Sequence, residues 1–306
     1  MMNMPSNTAS QGAAQAGKAG RPLRECGELV DLHLHSTFSD GTRTPEELCR
    51  MARKAGVGTL ALCDHDTTAG WQAMAQAAQR EGLRLIPGVE VSTGESGNVH
   101  VLGYGRQLFA EGMQAFLHRV ASDRASRAAS ILDKLGELGH AVPEEVRLSL
   151  LQNPGVGRPH IARALIDMGV VNTVKQAFDR LLARGRPAYV PRQLPSTAEA
   201  IRTMRSFGVT PVLAHPLQME LDWPAMTALI AEWQGAGLMG LEAYHSSVHA
   251  QDARRLDSLA RSMGLLVTGG SDYHGDPAST VHIGRLPAGW PGRAEDLSAL
   301  IKAIQE

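Results

Sequence analysis

The chain has 306 residues, 43% hydrophobic and 20% charged, with a formal net charge of −1, which suits a globular protein able to bury a sizeable core. Nothing global attracts nucleic acid or an anionic membrane, so any affinity for phosphate must be local, and no apolar run approaches membrane-spanning length. The 3 cysteines, Cys26, Cys49 and Cys63, are odd in number and form no C-x-x-C pair, which argues against a disulfide framework and for a reducing cytoplasm.

Residues 1–24 are rich in Ala, Gly, Ser, Asn and Gln and lack the apolar region of a secretory signal, so they read as a disordered leader. Residues 29–35 have strand character, and Thr44-Pro45-Glu46-Glu47 then opens a helix reaching about residue 55. Thr44 suits the N-cap, Pro45 the first helical position, and Glu47 completes a capping box. A second strand spans 59–64, followed by a helix over about 69–80 that Gly82 closes. Strands at 83–92 and 99–104 are close enough for a hairpin through 93–98.

From 112 to about 185 the pattern gives helices and no convincing strand, at about 113–136, 159–168 and 174–183. Alternation then resumes: helix 197–206, strand 210–215, helix 224–234, strand 238–244, helix 250–262, strand 265–269 and a final helix over about 294–304. Strands alternating with helices indicate a parallel or mostly parallel α/β sheet, with about seven strands closing or nearly closing a barrel. The expected organisation is a barrel whose first part is 25–110 and second part 191–306, interrupted by a substrate-binding helical insertion at 111–190.

The chemistry lies at the strand ends. In Asp31-Leu32-His33-Leu34-His35 the histidines alternate, and a strand's period of two puts both on one face. Later segments end similarly: Cys63-Asp64-His65, Gly88-Val89-Glu90, Asn98-Val99-His100, Ala214-His215-Pro216 and Ser271-Asp272-Tyr273-His274. Imidazoles and carboxylates recurring in this way describe a multi-metal site at the functional face of a barrel. A metal-dependent hydrolase follows. Asp64 reads equally as a partner orienting a ligand histidine or as a strand-end cap. Glu242, Tyr244, His245 and His249 surround another strand end and fit rim residues as readily as pocket lining, while His118, His140 and His282 are set aside.

Four segments in order carry a family resemblance: His33-Leu34-His35-Ser36 with Ser39-Asp40-Gly41, Asp64-His65-Asp66, Gly88-Val89-Glu90-Val91-Ser92, and Ser271-Asp272-Tyr273-His274-Gly275. They resemble the PHP (polymerase and histidinol phosphatase) family. The resemblance implies a distorted (β/α)7 PHP barrel of α/β class holding two or three divalent metals, Mn²⁺ first, with Zn²⁺ or Fe²⁺ as alternatives. It implies that His33, His35, Glu90 and Asp272 hold one metal, that Glu90 bridges to a second completed by His100 and His215, and that Asp40, His65 and His274 suit a third. The insertion and Gly157-Arg158-Pro159-His160-Ile161-Ala162 are similar to the branch of nucleoside 3′,5′-bisphosphate phosphatases, which includes enzymes trimming short RNA from the 5′ end.

Phosphate recognition has its own candidates. Arg158 stands at a helix start, where free N–H groups and the helix dipole favour anions, and a guanidinium adds bidentate contact. His160 could reach the same group. Arg124 and Arg127 are spaced i, i+3 on one helix face and could hold a second phosphate. The expected reaction is loss of the 3′-phosphate from a nucleoside 3′,5′-bisphosphate, such as adenosine 3′,5′-bisphosphate, through a hydroxide bridging two metals. Asp40, His65, Glu90, Asp272 and His274 would form the catalytic centre. The alternatives are a 5′-3′ exoribonuclease on short RNA, a histidinol-phosphate phosphatase, or a non-catalytic PHP module. The expected partner is a small phosphorylated nucleotide or short RNA, with no membrane and no obligate protein partner.

Overall fold

The computed structural model describes residues 29–94, 99–153, 155–191, 193–276, 279–286 and 294–305; the expected leader, Cys26 and the tip of the hairpin lie outside them. Strands β1 (Leu29–Leu34), β2 (Val57–Leu62), β3 (Arg84–Thr93), β4 (Val99–Tyr104), β5 (Thr210–Leu213), β6 (Gly240–His245) and β7 (Leu266–Gly270) lie side by side in sequence order in one 7-stranded sheet. β4 pairs antiparallel with both neighbours, and every other pair is parallel. The sheet is therefore mostly parallel, as the pattern required.

The sheet curls until its edges meet. Beyond β7, Asp272 N–H donates to the His33 carbonyl at 2.9 Å and His35 N–H donates to the Tyr273 carbonyl at 3.1 Å. Gly270 permits this closure, because a Cβ there would stand 2.2 Å from the His33 Cβ. Asp31, wholly buried, fastens the same seam by accepting from Ser271 N–H at 2.9 Å and Gly284 N–H at 2.8 Å. The result is a nearly closed barrel with flanking helices.

Helices α1 (Pro45–Lys54), α2 (Trp71–Glu81), α7 (Thr197–Ser206), α8 (Trp223–Gly235), α9 (Ala250–Ser262) and α10 (Ala294–Ala303) flank the strands. The capping box at α1 forms as read, with Thr44 and Glu47 each taking the other's backbone N–H, and Gly82 ends α2 in the left-handed region at φ 68. Between β4 and α7 come α3 (Glu111–Glu137), α4 (Glu144–Gln152), α5 (Arg158–Asp167) and α6 (Val174–Ala177).

Helix α3, 27 residues and so about 40 Å long, belongs to two cores. Met113, Phe116, Leu117 and Val120 pack into the barrel cluster, whereas Ala128, Ile131, Leu132 and Leu135 join a separate cluster with Ile161, Leu165 and Leu182. The helical segment is thus anchored through the first half of α3. Sequence periodicity missed α4, which buries no residue completely and so shows no apolar stripe. The helix expected over 174–183 is α-helical only through α6 and continues as a π-helical turn, Phe178–Leu182.

Candidate metal centre

Two β-bulges decide what faces the rim. The β1–β2 register slips between Asp31 and Leu34, so Val30 and Leu32 pack in the barrel core while His33 and His35 also turn inward and Leu34 packs outside among Leu48, Leu60 and Met74. The Leu32 carbonyl accepts from Tyr104 Oη at 2.8 Å. A second slip, between Glu242 and Tyr244 of β6, lets Glu242 and His245 both face the site, while Tyr244 turns out to donate to Asp257 at 2.6 Å. His100 begins β4 instead of ending it. Because β4 runs backwards, its start lies on the rim where the parallel strands end, opposite Ser92.

Glu90 stands at the middle of the rim, 1% exposed. Its Oε2 lies 3.4 Å from His33 Nε2, 3.2 Å from His35 Nε2 and 3.1 Å from His65 Nδ1. Its Oε1 lies 2.8 Å from His100 Nδ1 and 2.9 Å from His215 Nε2. Two oxygens facing two sets of imidazoles is the arrangement a bridging carboxylate needs. Asp272 Oδ1 is 3.1 Å from His35 Nε2 and 3.4 Å from His33 Nε2; Asp40 Oδ1 is 3.2 Å from His274 Nε2, and Asp40 Oδ2 is 3.6 Å from His65 Nε2.

Grouped by donor atoms, the residues form three sets that could each hold a cation: His33, His35, Glu90 and Asp272; His35, Asp40, His65 and His274; and His65, Glu90 and His100. The first matches the set implied by resemblance. The second adds His35 to the expected trio, and the third has His65 where His215 was expected, although His215 remains beside Glu90. His33 Nε2, His35 Nε2, His65 Nδ1 and Asp40 Oδ1 are buried without a hydrogen-bond partner among the described residues. Buried polar atoms rarely stay unsatisfied, and these converge, which fits divalent cations.

The electrostatics agree. Burial alone would raise the carboxyls of Glu90, Asp40 and Asp272, yet neighbouring imidazoles hold all three well below the usual range: His65 and His100 around Glu90, His65 and His274 around Asp40, His33 and His274 around Asp272. Burial pushes His65 down to about 3. Burial also opposes charge on His274, but Asp40 and Asp272 outweigh it and lift that imidazole to about 10.

Orientation comes from groups behind the rim. Glu242 Oε1 is 3.0 Å from His33 Nδ1, fixing the tautomer that leaves Nε2 toward the cluster, and Glu242 Oε2 accepts the His215 N–H at 2.8 Å. Sequence reading left Glu242 as an ambiguous rim residue. A carboxylate between Leu241 and Ala243 in a buried strand was the available signal, since it requires a partner. His274 Nδ1 lies 2.9 Å from the Asp272 carbonyl. Asp64 is settled as an organiser: its oxygens accept from Ser36 N–H, Ser36 Oγ and Ser39 Oγ, each at 2.7 Å, fixing the loop that carries Asp40. Backbone strain gathers here too, with Asp66, His215 and Asp272 at φ 58, 26 and 55.

A cavity of about 150 Å³ opens from the rim, lined by Asp40, His65 and His100 together with Arg124, Arg127, Arg158 and Phe178. Arg124 is engaged by Asp66, at 2.8 Å from Nη2 to Oδ2. Arg127 donates Nε–H to the Val190 carbonyl at 2.7 Å, and Arg158 lies over Phe178 at 5.3 Å. His160 turns back into its own helix, where Nδ1 accepts the Gly157 N–H at 3.2 Å, so its ring caps α5.

The PHP domain profile matches residues 31–281. Over 270 residues the chain is 35% identical to a Salmonella typhimurium protein named 5′-3′ exoribonuclease Rnm, covering 86% of this chain and 92% of that one. It is 33% identical over 247 residues to a Chromobacterium violaceum 3′,5′-nucleoside bisphosphate phosphatase, covering 80% and 87%. A solved structure from Bifidobacterium adolescentis, provisionally described as a metal-dependent phosphoesterase, superposes with a TM-score of 0.77 at 29% identity over 91% of this chain and 97% of that one. The motif order, the curled sheet and relatives matched along nearly their whole length share one explanation: this chain belongs to the PHP family of phosphoesterases.

Proposed function

We propose that the protein hydrolyses the 3′-phosphate of nucleoside 3′,5′-bisphosphates, adenosine 3′,5′-bisphosphate among them, releasing the 5′-monophosphate. The observation that carries this reading is the cavity lined both by the histidine–carboxylate rim and by Arg124, Arg127 and Arg158. Divalent ions held at the rim, with guanidiniums lining the same cavity, would suit a substrate with two phosphates.

His33, His35, Asp40, His65, Glu90, His100, His215, Asp272 and His274 would hold two or three divalent metals, and Mn²⁺ suits their mix of imidazole and carboxylate. Bound there, such ions lower the pKa of water and neutralise phosphoryl charge. A bond forms between water oxygen and phosphorus, the P–O3′ bond breaks, and a water proton ends on O3′. No covalent intermediate is required, because no serine, cysteine or aspartate nucleophile motif is present in the sequence. The helices over 111–190 supply the substrate wall. The cysteine pattern suits the cytoplasm as the setting.

A second reading has specific support in the 35% identity to a relative named as an exoribonuclease. A 5′-phosphorylated RNA presents the same terminal nucleotide, with a diester where the bisphosphate has a monoester. The test is Mn²⁺-dependent turnover of adenosine 3′,5′-bisphosphate beside AMP, histidinol phosphate and a short 5′-phosphorylated RNA. Phosphate release from the bisphosphate with AMP as product is expected. Trimming of RNA with the bisphosphate untouched would move the enzyme to the second reading, and preference for histidinol phosphate would overturn both.

A further inference from the structure

We infer that Arg124 is the guanidinium that meets the phosphoryl group being transferred, held in place by Asp66 and Ser92, while Arg127 and Arg158 serve the second phosphate. This deepens the proposed reaction and rests on it. Arginine spacing along α3 had paired Arg124 with Arg127, but their partners separate them.

Arg124 is tied to the rim. Its Nε and Nη2 donate to Asp66 Oδ2 at 3.0 and 2.8 Å, and Nη2 also donates to Ser92 Oγ at 2.9 Å. Asp66 directly follows His65, and Ser92 lies two residues beyond Glu90 and opposite His100 across the β3–β4 ladder. Arg127 instead donates to Val190 and lies over Tyr189 at 5.6 Å, and Arg158 lies over Phe178, so both contact the helical wall.

The fork is also aimed. The contacts to Asp66 and Ser92 occupy its Nε–Nη2 edge, and Nη1 lies 3.3 Å from where a Cβ on Gly157 would stand, with Gly157 lining the same cavity as Asp40, His65 and His100. Asp66 is itself fixed: its N–H donates to the Glu90 carbonyl at 2.8 Å, and Oδ1 accepts the Ser92 N–H at 2.7 Å. A lone guanidinium beside divalent cations would oppose their binding. Paired with Asp66, it adds little net charge yet keeps N–H donors toward the cavity. As the P–O3′ bond breaks and the water–phosphorus bond forms, charge on the non-bridging oxygens meets a donor that need not reorganise.

The test compares Arg124→Ala and Arg124→Lys with the unaltered enzyme, all loaded with Mn²⁺, on adenosine 3′,5′-bisphosphate and on adenosine 3′-monophosphate, which lacks the second phosphate. Removing one preorganised donor is expected to lower kcat by roughly 10²–10³-fold on both substrates, with partial recovery in the lysine variant. Calorimetric binding of inorganic phosphate to the Mn²⁺-loaded protein is expected to weaken by at least about tenfold in Arg124→Ala. An effect confined to KM for the bisphosphate would assign Arg124 to the second phosphate and overturn the inference, as would loss of metal content in both variants. Should the unaltered enzyme hydrolyse neither nucleotide, the proposed substrate fails on its own. Phosphate affinity still decides the inference in that case, and equal affinity in Arg124→Ala and the parent would end it.

Discussion

Glu242 is fully buried, and burial alone would raise its carboxyl, but the His33 imidazole 3.0 Å away holds it below the usual value. The pair couples an orienting carboxylate to a candidate ligand whose other nitrogen faces Glu90. Glu242→Gln keeps the shape and a hydrogen-bond acceptor while removing the charge that makes the imidazole a better donor to metal. Metal affinity is expected to fall about 10- to 100-fold, read by titration with Mn²⁺ against a competing chelator. Unchanged affinity would reduce Glu242 to a packing role. Arg158 lines the cavity at the rim and, on the proposed reading, would bear on selectivity. Arg158→Ala is expected to raise KM for the bisphosphate and lower kcat/KM by roughly 10²-fold, about 3 kcal/mol of lost binding in the transition state. Steady-state kinetics equal to the parent's would put Arg158 outside the site.

At the scale of elements, α3 determines how the helical wall meets the barrel. Its first half packs in the barrel core and its middle is pinned by Arg124 to Asp66, a pair whose side chains are 10% and 0% exposed. Breaking a buried pair by removing one partner leaves a charge without compensation. Asp66→Ala is therefore expected to cost about 3–5 kcal/mol in denaturant unfolding, far more than an exposed pair such as Arg147–Asp133 would. A loss under about 1 kcal/mol would show that α3 docks through its apolar face alone.

The same scale marks what could be read from sequence. Period two in β1 and the Thr44 capping box were legible because both are local rules, and so the start of α1 and the histidine pair came through. The bulges at Asp31–Leu34 and Glu242–Tyr244 were not, because a register slip depends on the neighbouring strand. Strict alternation from Glu242 would have turned His245 away from the site. Arg124 was found as a residue, but its tie to Asp66 and Ser92 was not legible, since i, i+3 spacing reports a helix face and says nothing about the loop it meets.

Over the whole molecule, protons and cations compete for one set of nitrogen atoms, and that competition links stability to pH. In the metal-free protein His274 is lifted to about 10 by Asp40 and Asp272, from an ordinary imidazole value of about 6.5. A group whose folded pKa is raised contributes stability that is fully present below its unfolded value and is lost as pH rises through the folded one. His33, raised well above 6.5 because Glu242, Asp272 and Glu90 outweigh its burial, acts in the same direction, whereas His65, pushed down to about 3, titrates outside this window. Protein stripped by chelation is thus expected to lose thermal stability steadily from about pH 6.5 toward 10. Mn²⁺, the proposed metal, is expected to reverse the trend. Metal needs deprotonated imidazoles, so its affinity rises with pH, and at roughly 100 times the dissociation constant it adds about 2.7 kcal/mol. The gap in Tm between loaded and stripped protein should widen across the window, with protons released on metal addition. A gap that stays constant with pH would mean that these imidazoles do not hold the metals, and that the cations bind elsewhere on the rim.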